Sequence, residues 1–442
     1  MILVDTALAE RQQENNPVNV ALIGAGYMGR GIALQILNSF KGMRLAAVYN
    51  RDLNKASQAY AQAGQDQVKA VHTASRLQEA VYRQEYCITD DPMLVCQAEG
   101  IDAIIEATGE VEFGAQVTME ALHHGKHVIL MNAELDATLG PILKVYADRS
   151  GAIITNADGD QPGVIMNLFR FVRGIGYHPV LAGNIKGILD HYRTPETQKA
   201  FAEAHKQKPR MITSFADGTK LSMEMAVVAN ATGFRAGRRG MYGPACRHVN
   251  DALQLFPEGQ MLDGGLVDYV LGAEPDGGVF VIGYNNHPIS RQYSECMKLG
   301  RGPFYMFYVP YHLPHLEAPL TAARAVLFRD AAVTPLDGPV CEVITMSKRE
   351  LKAGQVLDGL GGFDCYGTLE NADVAEQEEL LPMGLAEGCM LLRNMDKNQA
   401  VSYRDVVLPP NRLADILRRE QSSLFRNGSG EIQPAAAQTV HM

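Results

Sequence analysis

The stretch VNVALIGAGYMGRGIALQIL, from Val18 to Leu37, decides the fold of the N-terminal part of this chain. Its first six residues form a continuous apolar run that leads into a glycine, which is typical of a strand buried on both faces of a parallel sheet. The residues after Gly29 carry apolar side chains at helical spacing. Gly24, Gly26 and Gly29 therefore occupy a turn between a buried strand and a helix.

This turn has the GxGxxG spacing of a dinucleotide-binding site. Gly24 permits the tight turn, Gly26 lets the backbone approach a pyrophosphate, and Gly29 lets the helix pack close to the strand. The free N–H groups at the start of the helix, with the positive end of its dipole, hold phosphates. We therefore predict a cofactor site that includes Tyr27 and Met28, and a turn without a ligand is the alternative interpretation.

The end of the second predicted strand favours NADP over NAD. Enzymes that bind NAD usually place an acidic residue there, where it bonds the ribose 2′-hydroxyl. This chain has Asn50 followed by Arg51, and a guanidinium suits a 2′-phosphate. Alternatively, Arg51 is a solvated charge and Asp52 binds the ribose of NAD.

The predicted fold class is α/β, with a Rossmann doubly wound parallel sheet at the N-terminus. Strand and helix patterns alternate through the first third of the chain, which indicates βαβ units. Further strands are predicted over 43–50, 101–109, 126–132 and 151–158. The ends of two of them add Ala107, Thr108, Gly109 and Asn132 to the predicted cofactor site.

The pattern changes after Asp160, and three units are predicted. The segments RMITSFAD and TKLSMEMAVVANAT read as strand or strand-plus-helix pieces of a central α+β domain. The predicted divisions are an N-terminal extension (1–16), a dinucleotide-binding Rossmann domain (17–160), an α+β catalytic or oligomerisation domain whose last part packs back on the first (161–335), a small β-rich domain (336–420) and a disordered tail (421–442).

Composition limits the function classes. The 442 residues are 46% hydrophobic and 20% charged, which is ordinary for a soluble globular protein. The net charge of −10 argues against nucleic acid and anionic membranes as partners. Seven irregularly spaced cysteines are typical of reduced thiols, and no signal peptide or membrane-spanning run is recognised, so a cytoplasmic location is expected.

Several segments resemble a known family. VALIGAGYMGRGIA, IDAIIEATG and GKHVILMNAE resemble homoserine dehydrogenase and its relatives. ADGDQPGVIMNL, DGTKLSMEMAVVANATG and LKAGQVLDGLGGFDCYGTL are similar to the subgroup with a C-terminal SAF domain, which includes reductoisomerases resembling the deoxyxylulose-phosphate enzyme. The resemblance implies an oxidoreductase with an SAF-like third unit. One departure is Ala133, where homoserine dehydrogenases carry a lysine after the asparagine.

Two lysines and a glutamate are the candidate catalytic residues. Lys186, in a glycine-rich turn, and Lys220 are candidates to donate to a carbonyl oxygen, since hydride transfer needs a group that stabilises the developing alkoxide. A surface loop for Lys186 and a solvated hairpin turn for Lys220 are the alternatives. Glu224 lies in an apolar stretch, where a charge needs a partner or a function, and an ion pair with Lys220 is its alternative.

Four polar residues are predicted to bind substrate: Glu134, Asp158, Asp160 and Asn230. Glu134, Asp158 and Asp160 follow predicted strands, at the edge where parallel sheets bind ligands. Alternatively, Glu134 caps the following helix, as does Asp136, for which capping is at least as good an interpretation. For Asp158 and Asp160 the alternative is a linker turn. No metal site is expected, because the acids do not follow a ligand-spacing motif.

The sequence thus predicts an NADP-dependent oxidoreductase, with NAD also allowed, that acts on a small polar carbonyl or hydroxy compound. A reductoisomerase-like activity is the sharpest version of this prediction. A non-catalytic NADP-binding sensor or partner-binding protein is the alternative from another class. A homo-oligomer is expected, as is usual for such dehydrogenases.

Overall fold

A computed structural model describes residues 2–426, and its first unit is a seven-stranded sheet with helices on both faces. None of the described helices is long and apolar enough to cross a membrane. The elements of this unit are α1 (Ile2–Gln13), β1 (Val18–Ile23), α2 (Tyr27–Ser39), β2 (Met43–Tyr49), α3 (Leu53–Ala61), β3 (Val68–Ala70), α4 (Ala74–Tyr82), β4 (Tyr86–Thr89), α5 (Pro92–Gln97), β5 (Ala103–Glu106), α6 (Val111–His123), β6 (His127–Leu130), α7 (Ala133–Ser150) and β7 (Ile154–Asn156).

The sheet has the strand order β3-β4-β2-β1-β5-β6-β7, and all its neighbouring strands are parallel. The predicted doubly wound sheet is confirmed. The strand order reverses at β1, so the crevice beyond the carboxyl ends of β1 and β5 is where such sheets bind ligands. Strands β3 and β4 were not predicted because they are short, and β3 is largely exposed.

The second unit is a four-stranded mixed sheet packed with helices, as the α+β prediction required. Its order is β11-β10-β8-β9, with β8 and β9 parallel and the other pairs antiparallel. The elements are α8 (Gln161–Gly174), β8 (His178–Lys186), α9 (Lys199–Ala204), α10 (Pro209–Ala216), α11 (Thr219–Thr232), α12 (Glu258–Leu262), β9 (Leu266–Leu271), β10 (Val279–Tyr284), α13 (Pro288–Cys296), β11 (Phe304–Val309) and α14 (Pro314–Phe328).

Two segments of this unit differ from their predicted structure. RMITSFAD and TKLSMEMAVVANAT were expected to contain strands, but they form the helices α10 and α11. Helix α11 is buried at every position from Thr219 to Ala231. A helix that is buried on all sides lacks the apolar and polar faces that reveal a helical period in a sequence, which is why the pattern misled.

Helix α14 returns to the first unit and packs against α2 and the sheet. Ala318 and Ala322 share one core with Val18, Val20 and Leu22 of β1. A Cβ added at Gly31 of α2 would lie 3.0 Å from the His315 ring, so a glycine allows this close approach.

The C-terminal unit, defined here as residues 341–426, is built mostly from short strands and ordered loops. Its elements are β12 (Cys341–Ser347), β13 (Cys365–Asn371), α15 (Ala372–Gln377), β14 (Met390–Leu391), β15 (Val406–Val407) and α16 (Leu413–Arg426). Helix α16 packs on α7, where Tyr146 donates to the Glu420 carboxylate at 2.8 Å. The tail predicted from residue 421 thus begins inside α16, and residues 427–442 lie outside the described part.

A buried acid inside α7 generates a stability prediction. Asp136 does not cap this helix as its alternative interpretation proposed, because Asn132 does so. Asp136 is 3% exposed, and Asn156 donates to its Oδ2 at 3.3 Å. Burial raises the pKa of Asp136 from 3.8 to about 7. The folded protein therefore keeps a proton that the unfolded chain releases between these two values.

We expect wild-type stability to fall by up to about 1.4 kcal/mol per pH unit as pH rises through that window. Asp136→Asn removes the ionisation and should make the free energy of unfolding less dependent on pH between 4 and 7. Urea unfolding at several pH values measures this. Equal pH slopes for the two proteins would contradict the assignment.

Candidate functional site

The glycine-rich turn has the geometry that its sequence predicted. Gly24 has φ +104°, and a Cβ at Gly29 would lie 1.9 Å from the Gly24 carbonyl oxygen. A Cβ at Gly26 would meet no atom within 4 Å, so Gly26 faces open space at the start of α2. No side chain caps this helix start. Its amides are therefore available to a diphosphate, and the residues present fit a dinucleotide.

The residues after β2 separate into two roles. The Asn50 side chain accepts from Ala25 N at 3.3 Å, which ties it to the glycine-rich turn. The Asp52 carboxylate accepts from Asn54 N at 3.0 Å and caps α3. Arg51 is exposed and forms no side-chain hydrogen bond with the described residues. The guanidinium, not the carboxylate, is the uncommitted group at this strand end.

The turn after β5 is held by a carboxylate that sequence reasoning missed. Glu106 is fully buried and accepts from Thr108 N and from Asn132 Nδ2, both at 2.8 Å. Burial raises the pKa of Glu106 against these hydrogen bonds. Asn132 Oδ1 accepts from Leu135 N at 3.0 Å. The Asn132 side chain is thus committed to protein partners, and it positions the turn containing Ala107, Thr108 and Gly109. An acid ending an apolar strand was the available signal for Glu106.

Three of the predicted site residues meet where β6 and β7 end. Glu134 lies in the first turn of α7, and Asp160 directly precedes α8. The Lys220 ammonium, from α11, lies 3.7 Å from Glu134 Oε1 and 3.7 Å from Asp160 Oδ2. Lys220 is only 7% exposed, so it is neither at a hairpin turn nor solvated.

Glu224 lies one helical turn beyond Lys220 and is 2% exposed. Asn184 of β8 donates to its Oε2 at 2.8 Å. With its amide nitrogen turned towards the acids, Gln161 donates to Glu224 Oε1 at 3.1 Å and to Asp160 Oδ1 at 2.9 Å. Sequence reasoning did not select Asn184 or Gln161, because amides in a strand or a first helical turn have many structural uses.

Lys186 ends β8 and completes the group, which we call the charged cluster: Glu134, Asp160, Lys186, Lys220 and Glu224. Lys186 is partly buried and has no ion-pair partner within 4 Å among the described residues. Burial lowers the pKa of Lys186, and the Glu224 carboxylate opposes this shift.

Charges within the cluster separate its proton affinities. Burial alone would lower the pKa of Lys220, but Glu134, Asp160 and Glu224 outweigh it and hold that pKa above its ordinary value. Burial, and then the Asp160 charge, raises the pKa of Glu224 to about 8 against the attraction of Lys220. At neutral pH Lys220 is therefore a fixed cation, and Glu224 holds a proton. Titratable groups whose environments shift their pKa values in this way are typical of acid–base sites.

The structure places two predicted substrate-binding residues elsewhere. Asp158 forms a buried ion pair with Arg324 at 2.8 Å, which fastens α14 to the end of β7. The Asn230 side-chain oxygen accepts from Val340 N at 2.8 Å and Cys341 N at 3.1 Å, where the C-terminal unit begins. Both side chains are committed to joining units of the fold, so we no longer assign them to substrate.

In the described residues, no group of three or more His, Cys, Asp and Glu side chains has an arrangement that could hold a metal ion.

Two family models match this chain. Residues 18–130 match the oxidoreductase family with an NAD-binding Rossmann fold, GFO/IDH/MocA. Residues 159–318 match the model described as the catalytic domain of the oxidoreductase DRL. The chain thus contains a region similar to the NAD-binding Rossmann domain of oxidoreductases, followed by a region similar to an oxidoreductase catalytic domain. No curated protein matches it.

Solved structures with similarity to the chain align at low scores. Biliverdin reductase from Synechocystis sp. PCC 6803, solved with biliverdin and NADP+, is 17% identical. The alignment covers 40% of this chain and 49% of the reductase chain, with a TM-score of 0.28. This chain thus spans about half of that reductase. A DOX-P reductoisomerase with fosmidomycin and magnesium is 14% identical over 72% of each chain, with a TM-score of 0.39. Apo scyllo-inositol dehydrogenase from Lactobacillus casei is 12% identical over 71% of this chain and 89% of its own, with a TM-score of 0.42.

The open space at Gly26 generates a binding prediction. Gly26→Ala should leave the thermal midpoint nearly unchanged, because the added methyl meets no protein atom, yet weaken NADP binding at least tenfold by occupying the diphosphate space. Calorimetric titration measures the affinity. Gly174→Ala is the matched control, since its methyl also meets no atom and Gly174 lies at the end of α8. Equal affinities for NADP in both variants would contradict the prediction that the cofactor binds at this turn.

Proposed function

We propose that this protein is an NADP-dependent oxidoreductase that transfers a hydride to or from a small polar carbonyl or hydroxy compound, such as a sugar, a sugar phosphate or a hydroxy-aldehyde. The observation that carries the proposal is the charged cluster. It lies at the carboxyl edge of the sheet, beside the turn after β5 and on the edge that carries the glycine-rich turn. Placing five ionisable groups in buried or partly buried positions is costly unless they serve one another or a reaction.

The proposed roles follow from the proton affinities. Lys220 remains protonated, so it donates a hydrogen bond to the substrate oxygen and stabilises negative charge that develops there. Glu224 holds a proton below about pH 8 and gives it to that oxygen as the carbonyl is reduced. The nicotinamide, when bound, supplies the hydride to the carbonyl carbon. Asn184 and Gln161 keep the Glu224 carboxyl in one orientation.

Lys186 has a different role in this proposal. Its pKa is lowered by burial, and no carboxylate neutralises it within ion-pair distance in the described chain. It therefore binds a second oxygen of the substrate, next to the reacting one, and a compound with adjacent oxygens suits the pair of lysines. Such a substrate is also the kind that a reductoisomerase-like activity would use, which agrees with the resemblance in sequence.

Two narrower readings are disfavoured. Ordinary homoserine oxidation is disfavoured because the lysine that homoserine dehydrogenases carry at this position is replaced by Ala133. Ala133 is fully buried in the first turn of α7. A purely NADP-sensing protein would have no use for a proton-holding acid beside a fixed cation. Arg51, free at the end of β2, supports NADP as the cofactor of the enzyme.

Cofactor choice is tested at Arg51. Arg51→Asp should shift the ratio of kcat/KM for NADP to that for NAD at least tenfold towards NAD, because a carboxylate repels the 2′-phosphate and accepts from a 2′-hydroxyl. The reaction is followed by absorbance of the reduced nicotinamide, after a screen of aldoses, ketoses, homoserine and deoxyxylulose phosphate has identified a substrate. Asp52→Ala is the control: it removes the α3 cap and should lower stability without changing the ratio.

Proton delivery is tested at Glu224 and Lys220. The rate of carbonyl reduction should fall as pH rises through about 8, because Glu224 then loses its proton. Glu224→Gln should abolish this limb and lower kcat at least a hundredfold. Lys220→Met should lower kcat by a similar factor at every pH.

Asp136→Asn is the matched control for these variants, since Asp136 is a second buried acid with a raised pKa outside the cluster. It should leave the pH–rate profile unchanged. A limb at pH 8 that persists in Glu224→Gln would assign the proton to another group.

A further inference from the structure

The turn that begins α11 receives contacts from the C-terminal unit. Asp217 Oδ1 accepts from Thr219 N at 2.9 Å, and Gly218 has φ +89°. These two features start the helix one residue before Lys220. The place of the Lys220 ammonium between Glu134 and Asp160 therefore depends on how this turn is held.

Lys348, which directly follows β12, forms an ion pair with Asp217 in this turn. Its ammonium lies 2.7 Å from Asp217 Oδ2, and the two side chains are 2% and 0% exposed. The same ammonium donates to the backbone oxygens of Arg193 and Gly362, both at 2.8 Å. The contacts with Asp217 and Arg193 thus join the C-terminal unit to the segment before α11, while the bond to Gly362 stays within the C-terminal unit.

Further contacts join the same two parts. Thr219 Oγ1 accepts from Gly367 N of β13 at 2.8 Å, and Ser222 Oγ donates to Gly367 O at 3.3 Å. The His191 ring bonds the Asp217 carbonyl oxygen through Nδ1 at 2.7 Å and stacks on Tyr366, with ring centroids 4.4 Å apart. The first turn of α11 is therefore built against β13.

We propose that Lys348 is a positioning residue for the reaction: through Asp217 it fixes the first turn of α11, and with it Lys220 and Glu224. The C-terminal unit thereby contributes to catalysis without touching substrate or cofactor. This inference rests on the proposed function of the charged cluster. It assigns to the third unit a role other than binding a ligand of its own.

The first test compares Lys348→Met with Arg418→Met. Arg418 forms a buried ion pair with Glu342, and both residues lie within the C-terminal unit, so this control breaks a comparable pair without touching the Asp217 turn. Lys348→Met should lower kcat at least tenfold, with the Kd for NADP within twofold of wild type. Arg418→Met should lower stability and leave kcat within twofold. Equal effects of the two variants on kcat would overturn the proposal.

A second measurement does not depend on activity. Hydrogen exchange in a peptide covering residues 217–225 should be at least tenfold faster in Lys348→Met than in Arg418→Met, both referred to wild type. If no substrate is found for the wild type, the proposed function fails. The exchange comparison still tests whether Lys348 fixes the first turn of α11. Unchanged exchange would overturn it.

A variant that strands the Asp217 charge can fail to fold. The double variant Lys348→Met, Asp217→Asn removes the unpaired carboxylate while keeping an oxygen for Thr219 N. It should fold and show the same fall in kcat and the same faster exchange in residues 217–225. Wild-type values for both in this folded double variant would refute the role of Lys348.

Discussion

The contact on which the rest of the site depends is that of one buried ammonium with two carboxylates. Lys220 lies 3.7 Å from both Glu134 and Asp160, which follow neighbouring strands of the first sheet. The first unit supplies the acids and α11 supplies the cation, so neither unit can shift without separating buried charges. Removing one partner of such a group typically costs about 3–5 kcal/mol. The same attraction that fastens the two units also keeps Lys220 charged, which is the state that an alkoxide requires.

The described charged cluster is close to neutral only with a proton on one of its acids. Three carboxylates face two ammonium groups, so full ionisation would leave one excess negative charge in a buried place. Lys220 lies at ion-pair distance from Glu134 and Asp160, whereas neither lysine lies within 4 Å of the Glu224 carboxylate. The proton therefore stays on Glu224, and burial together with Asp160 sets its pKa to about 8. Electrostatics of the resting site thus prepares the proton that a carbonyl reduction consumes.

Some features of the fold and of the candidate site could be predicted from the sequence and others could not. The difference lies in how far apart along the chain the interacting residues are. Gly24, Gly26 and Gly29 act within six residues, and their turn has the predicted geometry. The positions of Glu134 and Asp160 after strand ends were also predictable, because parallel strands share one carboxyl edge, while their binding of substrate stays a prediction. The ion-pair partner of Asp158 and the backbone amides that bind Asn230 lie more than a hundred residues away, and no local pattern indicates them.

Helix α11 shows the other limit. It has no solvent-facing side, because the first unit, the second sheet and the C-terminal unit surround it, so its sequence was interpreted as strand or strand-plus-helix. The same enclosure explains its importance. In a helix with no solvent face, the polar side chains form contacts only with other protein groups. Lys220 and Glu224 contact the charged cluster, Ser222 bonds β13, and Asn230 bonds the start of β12. Each unit therefore determines part of where α11 lies, and the reacting groups it carries are set by all three together.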